Sequence, residues 1–521
     1  MLGRREFLVA GGAVIGTAAL TSMSACTPSS GPVPGVFGLG VASGLHSPSE
    51  VVLWTRVELA NAAGTTSVTW EVARAADFSD VVADGSAPVS AETDGCVKVL
   101  VGGLEPDRSY WYRFSTAGTT SATGRARTLP GRTADVASLR LAFASCQSYA
   151  SGFYGAWRDI AAAEVDAVLF LGDYIYEAFP IQIQRRVRDE FLEEADTLDR
   201  YRARYRLYRS DPALQAAHAA HPFIATWDDH EVANDHDRRY LTENPVRAAA
   251  AHQAWFEYMP VWPTEGTRIY RSLRWGGLAE LFVLDGRQYR DDHLGTSALG
   301  LLGLNVMTDD LQAVGRSILG APQRKWLLGG LDDAQSSGVP WKLIGNPAMI
   351  APIRLVDLDT PEMRMLNPWL PRHAGLYLGT DSWDGFGWER DLVLGHLDEG
   401  AITGVRFLTG DQHTFMAAAL STDFDDPSAP VVSYEYTGGS ITSPSGITEI
   451  ALAGNLDSYR TEPPFDYMDV HQNGFGLVEL TPDVMSVTYH QLDVTGPANR
   501  SRPTVRFDSV PEDPQPTITR F

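Results

Sequence analysis

Four short polar clusters in this chain each follow a run of apolar residues, and each holds side chains that bind metals or move protons. Leu139-Arg140-Leu141-Ala142-Phe143 leads into Ser145-Cys146-Gln147, and Ala167-Val168-Leu169-Phe170-Leu171 into Gly172-Asp173-Tyr174-Ile175-Tyr176-Glu177. Phe223-Ile224-Ala225-Thr226 ends in Trp227-Asp228-Asp229-His230-Glu231, with Asn234 one turn on, and Val405-Arg406-Phe407-Leu408 leads to Gly410-Asp411-Gln412-His413. One such cluster is weak evidence, because a lone histidine is more often structural than a ligand. Four in chain order point to a metal site at strand ends, where α/β sheets place their sites. Carboxylates and amides suit hard cations such as Ca²⁺ or Mg²⁺, whereas a thiolate, a phenolate and an imidazole suit a transition metal. Asp173 has two oxygens and a central place, so it is the candidate bridge. Tyr176 can turn back to the same ion, and phenolate ligation is a mark of Fe³⁺ because an ordinary tyrosine pKa is about 10. A buried small hydrophobe is the plain alternative for Cys146; its place opposite Gly172-Asp173 argues for a ligand.

The elements that must position these residues read as two units. Val51-Val52-Leu53-Trp54, Val68-Thr69-Trp70-Glu71-Val72 and Val97-Lys98-Val99-Leu100-Val101 are strand-like runs between turns. Gly103-Leu104-Glu105-Pro106 before Tyr110-Trp111-Tyr112 resembles the corner of a fibronectin-type β-sandwich, here over 36–130. From Ser138 the pattern becomes strand, helix, strand, the signature of an α/β domain over 137–495. Glu190 to Ala220 reads as a charged helical region broken at Asp211-Pro212. The Pro-rich stretch 496–521 reads as a loose tail.

Residues 1–30 read as an export signal rather than as fold. Arg4-Arg5 precedes an apolar stretch of about 13 residues, too short to span a bilayer comfortably. Gly3-Arg4-Arg5-Glu6-Phe7-Leu8 resembles the twin-arginine translocation signature, which implies the twin-arginine translocase as a partner and a periplasmic or extracellular location. Met23-Ser24-Ala25-Cys26 resembles a lipobox, which would anchor the chain to a membrane through a lipid on Cys26; cleavage near Ala25 with release is the alternative. The net charge of −23 over 521 residues excludes a general nucleic-acid-binding surface. Three cysteines exclude a disulfide scaffold.

The motif set as a whole resembles the PhoD-like family of alkaline phosphatases and phospholipase D-type phosphodiesterases, from about residue 36 to 490. Besides the four clusters, the likeness rests on Gly40-Val41-Ala42-Ser43-Gly44 with Val51-Val52-Leu53-Trp54-Thr55-Arg56, on Tyr208-Arg209-Ser210-Asp211-Pro212, on Asp285-Gly286-Arg287-Gln288-Tyr289-Arg290 and on Ser382-Trp383-Asp384-Gly385. The resemblance implies an α/β (α+β) metallophosphoesterase core of two packed β-sheets flanked by helices, preceded by a small Ig-like β-sandwich. It implies hydrolysis of a small-molecule or lipid phosphate ester by a metal-bound hydroxide or oxide, with one Fe³⁺ and one or two Ca²⁺. Residue by residue, it implies that Cys146, Asp173 and Tyr176 hold iron, with Asp411 and His413 on the far side. Asp229 would bind the second metal, Asn234 would bind or support Ca²⁺, and His230 would face the substrate phosphate. Arg287 is a candidate phosphate clamp, with a buried structural ion pair as the equal alternative. Gly286 departs from the family pattern, and the lid helix of one branch is not evident after Val494. No Gly-x-Ser-x-Gly elbow is present, so no serine nucleophile is expected. The rival readings are a phospholipase D-type phosphodiesterase and an exported metal-dependent binding protein without turnover.

Overall fold

The computed structural model describes residues 35–59, 66–116, 118–178, 185–191, 193–294, 304–445 and 464–521. The export-signal reading of 1–30, with Arg4, Arg5 and Cys26, lies outside them.

Two large sheets pack face to face. In the ten-stranded sheet the parallel strands Leu139–Ala144, Ala167–Leu171 and Pro222–Thr226 are central. In the seven-stranded sheet the parallel run is Ala279–Val283, Trp341–Asn346, Val405–Thr409 and Val431–Gly438. Phe143, Leu169, Leu171, Leu281, Leu343, Leu408 and Tyr489 share the core between them. Helices Gly155–Ala162, Leu198–Arg209 and Pro245–Tyr258 cover the outer face of the first sheet through Trp157, Tyr205 and Trp255. Gly320–Ser336 and Gly387–Glu399 cover the second through Leu327, Leu331 and Leu394. Every residue of Ala167–Leu171, Pro222–Thr226 and Val405–Thr409 is therefore buried. A strand covered on both faces loses its in–out alternation, which is why these segments are continuous apolar runs. The layers expected from the resemblance are those observed.

Two readings change and one is extended. First, the expected N-terminal β unit is present, Val68, Val72, Tyr112 and Phe114 of a smaller sheet closing its core, and it also joins the α/β core. Val41–Ser47, Glu50–Arg56 and Cys96–Val101 are the last three strands of the ten-stranded sheet, joined to it where Ser43 and Gly44 pair in parallel with Pro222 and Phe223. Gly44 permits this, because a Cβ there would meet the Pro260 carbonyl oxygen at 1.9 Å. The sequence pattern shows both faces buried: Val51 and Leu53 enter the β unit's own core while Ala42 and Trp54 enter the helical layer. Second, 496–521 is no loose tail. Arg502–Val510 and Asp513–Arg520 extend the same sheet at its other edge. Val505 and Phe507 are buried in the inter-sheet core, and Pro514 and Pro516 lie in the edge strand, where a missing N–H is tolerated. Third, the charged region 190–220 becomes helical only at Leu198. It breaks at the expected place because Asp211 caps the next helix by accepting from the Ala213 and Leu214 amides, with Pro212 in its first turn.

Candidate metal centre

The four polar clusters meet at the carboxyl ends of their strands, three from the first sheet and one from the second. Among the described residues ten non-glycine residues have positive φ, and five of them are here: Cys146, Asp173, Asp235, Asp411 and His413. Left-handed backbone is costly for such residues and gathers where packing enforces it for function. Gly172, at φ 99, has no room for a Cβ against Asp228, and this lets the Asp173 turn lie on the neighbouring strand end. Glu231 fixes that turn: its carboxylate accepts the backbone N–H groups of Asp173 at 3.1 Å, Tyr174 at 2.7 Å and Asp228 at 2.9 Å.

Cys146 Sγ, an Asp173 carboxylate oxygen and a His413 ring nitrogen lie within 4.8 Å of one another. The Tyr176 hydroxyl joins them, 2.9 Å from Asp173 Oδ2 and 2.9 Å from His413 Nε2. His413 Nδ1 lies 2.9 Å from the Pro444 carbonyl oxygen; that contact assigns its proton to Nδ1 and turns the Nε2 lone pair inward. Burial, with Asp173 alongside, pushes the Cys146 thiol and the Tyr176 phenol well above their ordinary values. A cation among them reverses that balance by stabilising thiolate and phenolate. The soft sulfur, phenol and imidazole fit a transition metal.

Asp173, Asp229 and His230 form a second convergent group, and Asp229, Asp235 and Asp381 a third. Asp173 belongs to the first two groups and Asp229 to the last two, so the ligand positions form a row with shared carboxylates. His230 Nδ1 sits 2.6 Å from Glu177 Oε2, while Glu177 Oε1 accepts the Asn234 amide at 2.9 Å. Although burial opposes its charge, Asp229, Glu177 and Asp173 raise the His230 pKa well above the ordinary value.

The structure thus brings together Cys146, Asp173, Tyr176, Asp229, His230 and His413. Asn234 is an exposed residue at the rim. Asp411 is half-buried, but what faces Cys146 Sγ is its backbone carbonyl, at 3.8 Å, while its carboxylate accepts from Gln412. Its carboxylate is in none of the convergent groups. For Arg287 the geometry sides with the ion pair. The side chain is fully enclosed, with Nε 2.6 Å from Asp228 and Nη2 2.7 Å from Asp381, so it presents no open face to a phosphate. Glu177, Glu231, Asp235 and Asp381 received no role in the sequence reading. Glu177 stood inside a quoted motif, and an acid one residue past Tyr176 was the available signal. Asp381 gave none, since its partner Arg290 is 91 residues away.

A family model described as PhoD-like phosphatase matches residues 141–489, and one described as PhoD-like phosphatase, N-terminal domain, matches 23–130. The chain is 35% identical over 427 residues to alkaline phosphatase D of Bacillus subtilis (strain 168), a match covering 78% of this chain and 69% of that protein. Its fold superposes on a solved structure of PhoD with a TM-score of 0.81 at 32% identity, over 92% of each chain. On the extent of these matches, the chain belongs to the PhoD-like phosphatase family.

Proposed function

We propose that this protein is an exported alkaline phosphatase of the PhoD type that hydrolyses phosphate esters over the row of acids running from Cys146 to Asp381. The observation that carries the reading is the sharing of Asp173 and Asp229 between neighbouring ligand groups, which suits ions acting together on one phosphate. Cys146, Asp173, Tyr176 and His413 would hold Fe³⁺, with the Asp411 carbonyl facing Cys146. Asp173, Asp229 and Asn234, and beyond them Asp235 and Asp381, would hold Ca²⁺. Bound there, these ions polarise the phosphoryl oxygens and neutralise the charge of the leaving oxygen. Glu177 fixes His230 through Nδ1, so Nε2 is the atom that gives a proton to the leaving oxygen. Glu231 keeps the Asp173 turn in register with the Asp228 strand end. Arg287 supports the site from beneath rather than clamping the substrate.

The twin-arginine reading of Arg4-Arg5 places the enzyme in the periplasm or outside the cell after passage through the twin-arginine translocase. Lipidation of Cys26 would anchor it to the membrane, and cleavage near Ala25 would release it; membrane retention lost in Cys26→Ala supports the anchor, and unchanged retention removes it. Among the described residues no helix is long and apolar enough to cross a membrane.

The test is turnover of p-nitrophenyl phosphate, bis-p-nitrophenyl phosphate and phosphatidylcholine by the purified protein, with iron and calcium measured. Monoester turnover should exceed the other two, and the protein should be coloured by phenolate–Fe³⁺ charge transfer. Turnover confined to the diesters replaces this reading with a phospholipase D-type one. No turnover by metal-loaded protein refutes both, and a colourless, active, zinc-only protein removes the Tyr176–iron assignment. His230→Ala should lower kcat about 10²- to 10⁴-fold with metal content kept; metal loss would make His230 a ligand instead.

A further inference from the structure

Strands Leu304–Val306, Gly375–Leu378 and Arg354–Asp357 form a small sheet apart from the two large ones. Its own apolar cluster has three buried residues, Met307, Leu311 and Tyr377, while Ile353, Leu355 and Leu378 pack into the core of the second layer. Charges add to this hold. Arg354 pairs with Asp425. Arg372 pairs with Asp391 at 2.7 Å and Asp423 at 3.2 Å. His373, 2% exposed, sets Nδ1 on Asp425 and Nε2 3.8 Å from Asp391. Asp391 lies on helix Gly387–Glu399, and Asp423 and Asp425 follow strand Phe415–Ser421, so each pair ties the small sheet to the second layer. Three residues past Gly375–Leu378 stands Asp381, held on Arg287 at 2.7 Å and Arg290 at 2.6 Å.

We propose that His373 is a positioning residue for the site: its imidazolium clasps the small sheet to the helix and turn, and through that sheet keeps Asp381 beside Asp229. The clasp deepens the phosphatase reading and, for its kinetic test, rests on it. His373 Nε2 is buried without a hydrogen-bond partner; in the cation both ring nitrogens carry protons and answer the two carboxylates. The groups facing the ring are Asp423 and Asp425 from the turn, and Asp391 and Arg390 from the helix. From its own segment come Arg354, Arg372 and Asp359, which accepts the His373 amide at 2.7 Å. Arg354 and Arg372 bring two positive charges to the three carboxylates Asp391, Asp423 and Asp425, so a proton on His373 balances the cluster. Burial opposes the charge, as does Arg390, but Asp391 and Asp425 outweigh them and raise the pKa. A raised histidine pKa makes the clasp complete below about pH 6.5 and loosens it as pH climbs through the raised value.

The test variant is His373→Asn, because His373 has φ 58 and asparagine is among the non-glycine residues that accept the left-handed region. On metal-loaded protein with p-nitrophenyl phosphate, the wild-type to variant kcat ratio should be about tenfold near pH 6 and fall toward one as pH climbs through the raised His373 value. Amides of 354–378 should exchange about tenfold faster in the variant near pH 6, after correction for intrinsic rates. Asp391→Asn should repeat both effects in smaller measure. A kcat ratio independent of pH marks a merely structural histidine and overturns the proposal. So does unchanged exchange, or loss of a metal equivalent from His373→Asn. If the wild type has no turnover, the phosphatase reading fails and the exchange result alone decides the clasp.

Discussion

The strand ends and the small sheet both deliver acids to the same site, but they hold them differently. Asp173 and Asp229 leave strands buried on both faces and are fixed by backbone hydrogen bonds to Glu231 and by a glycine without room for a side chain. Asp381 arrives on a segment that packs through Leu378 and Trp383 into the second layer but is also held by several ion pairs. Packing is insensitive to pH and salt, whereas ion pairs respond to both. One side of the site is therefore set by the fold and the other by the fold and the medium together.

The change expected to separate these sides most is Asp173→Asn. It preserves volume but removes the charge shared by two ligand groups, so activity should fall about 10³-fold or more with metal lost and thermal unfolding little changed. A variant that keeps its metal would break the picture of the strand ends as the ion cradle. Next comes Arg287→Ala, at the joint between the two regions. It strands Asp228 on the rigid side and leaves Asp381 to Arg290 on the other, and breaking a buried pair costs about 3–5 kcal/mol. The denaturant midpoint should drop at constant slope; an unchanged midpoint with a raised KM would restore Arg287 as a phosphate clamp. The smallest effect is on helix Pro361–Leu366, between strands Arg354–Asp357 and Gly375–Leu378. Leu366 is 81% exposed, so Leu366→Ser should change stability by less than about 0.5 kcal/mol and leave kcat alone. A larger loss would mean that this face is covered.

The same division decides what could be read from sequence. The rigid side was legible because doubly covered strands write continuous apolar runs, and polar residues directly after them mark the site: Cys146, Asp173, Asp229 and His413 were all placed in this way. Asp411 shows the limit of that logic, since a turn with positive φ at both Asp411 and His413 sets which group faces inward. The responsive side was illegible. The strands Arg354–Asp357 and Gly375–Leu378 have four residues each, and the partners of Asp381 come from distant sequence. At the carboxyl edge, prolines obscured the alternation of Val505, Phe507 and Ser509, although each is buried.

The ten-stranded sheet has a bearing on how the molecule is made. Its centre, Leu139–Ala144, is paired on one side by Ala167–Leu171 and on the other by Asn473–Leu480. Until the ribosome has added Asn473–Leu480 and the residues beyond it, one edge of Leu139–Ala144 has no partner strand, and the inter-sheet core lacks Tyr489 and Phe507. Such distant pairings close slowly. The nascent chain therefore passes through a long interval with an exposed strand edge, the state in which chaperones bind and aggregation begins. Completion of the fold waits for Asn473–Leu480 and the strands beyond it, on the side of the membrane where the chain is synthesised if it leaves through the twin-arginine translocase, which carries folded cargo.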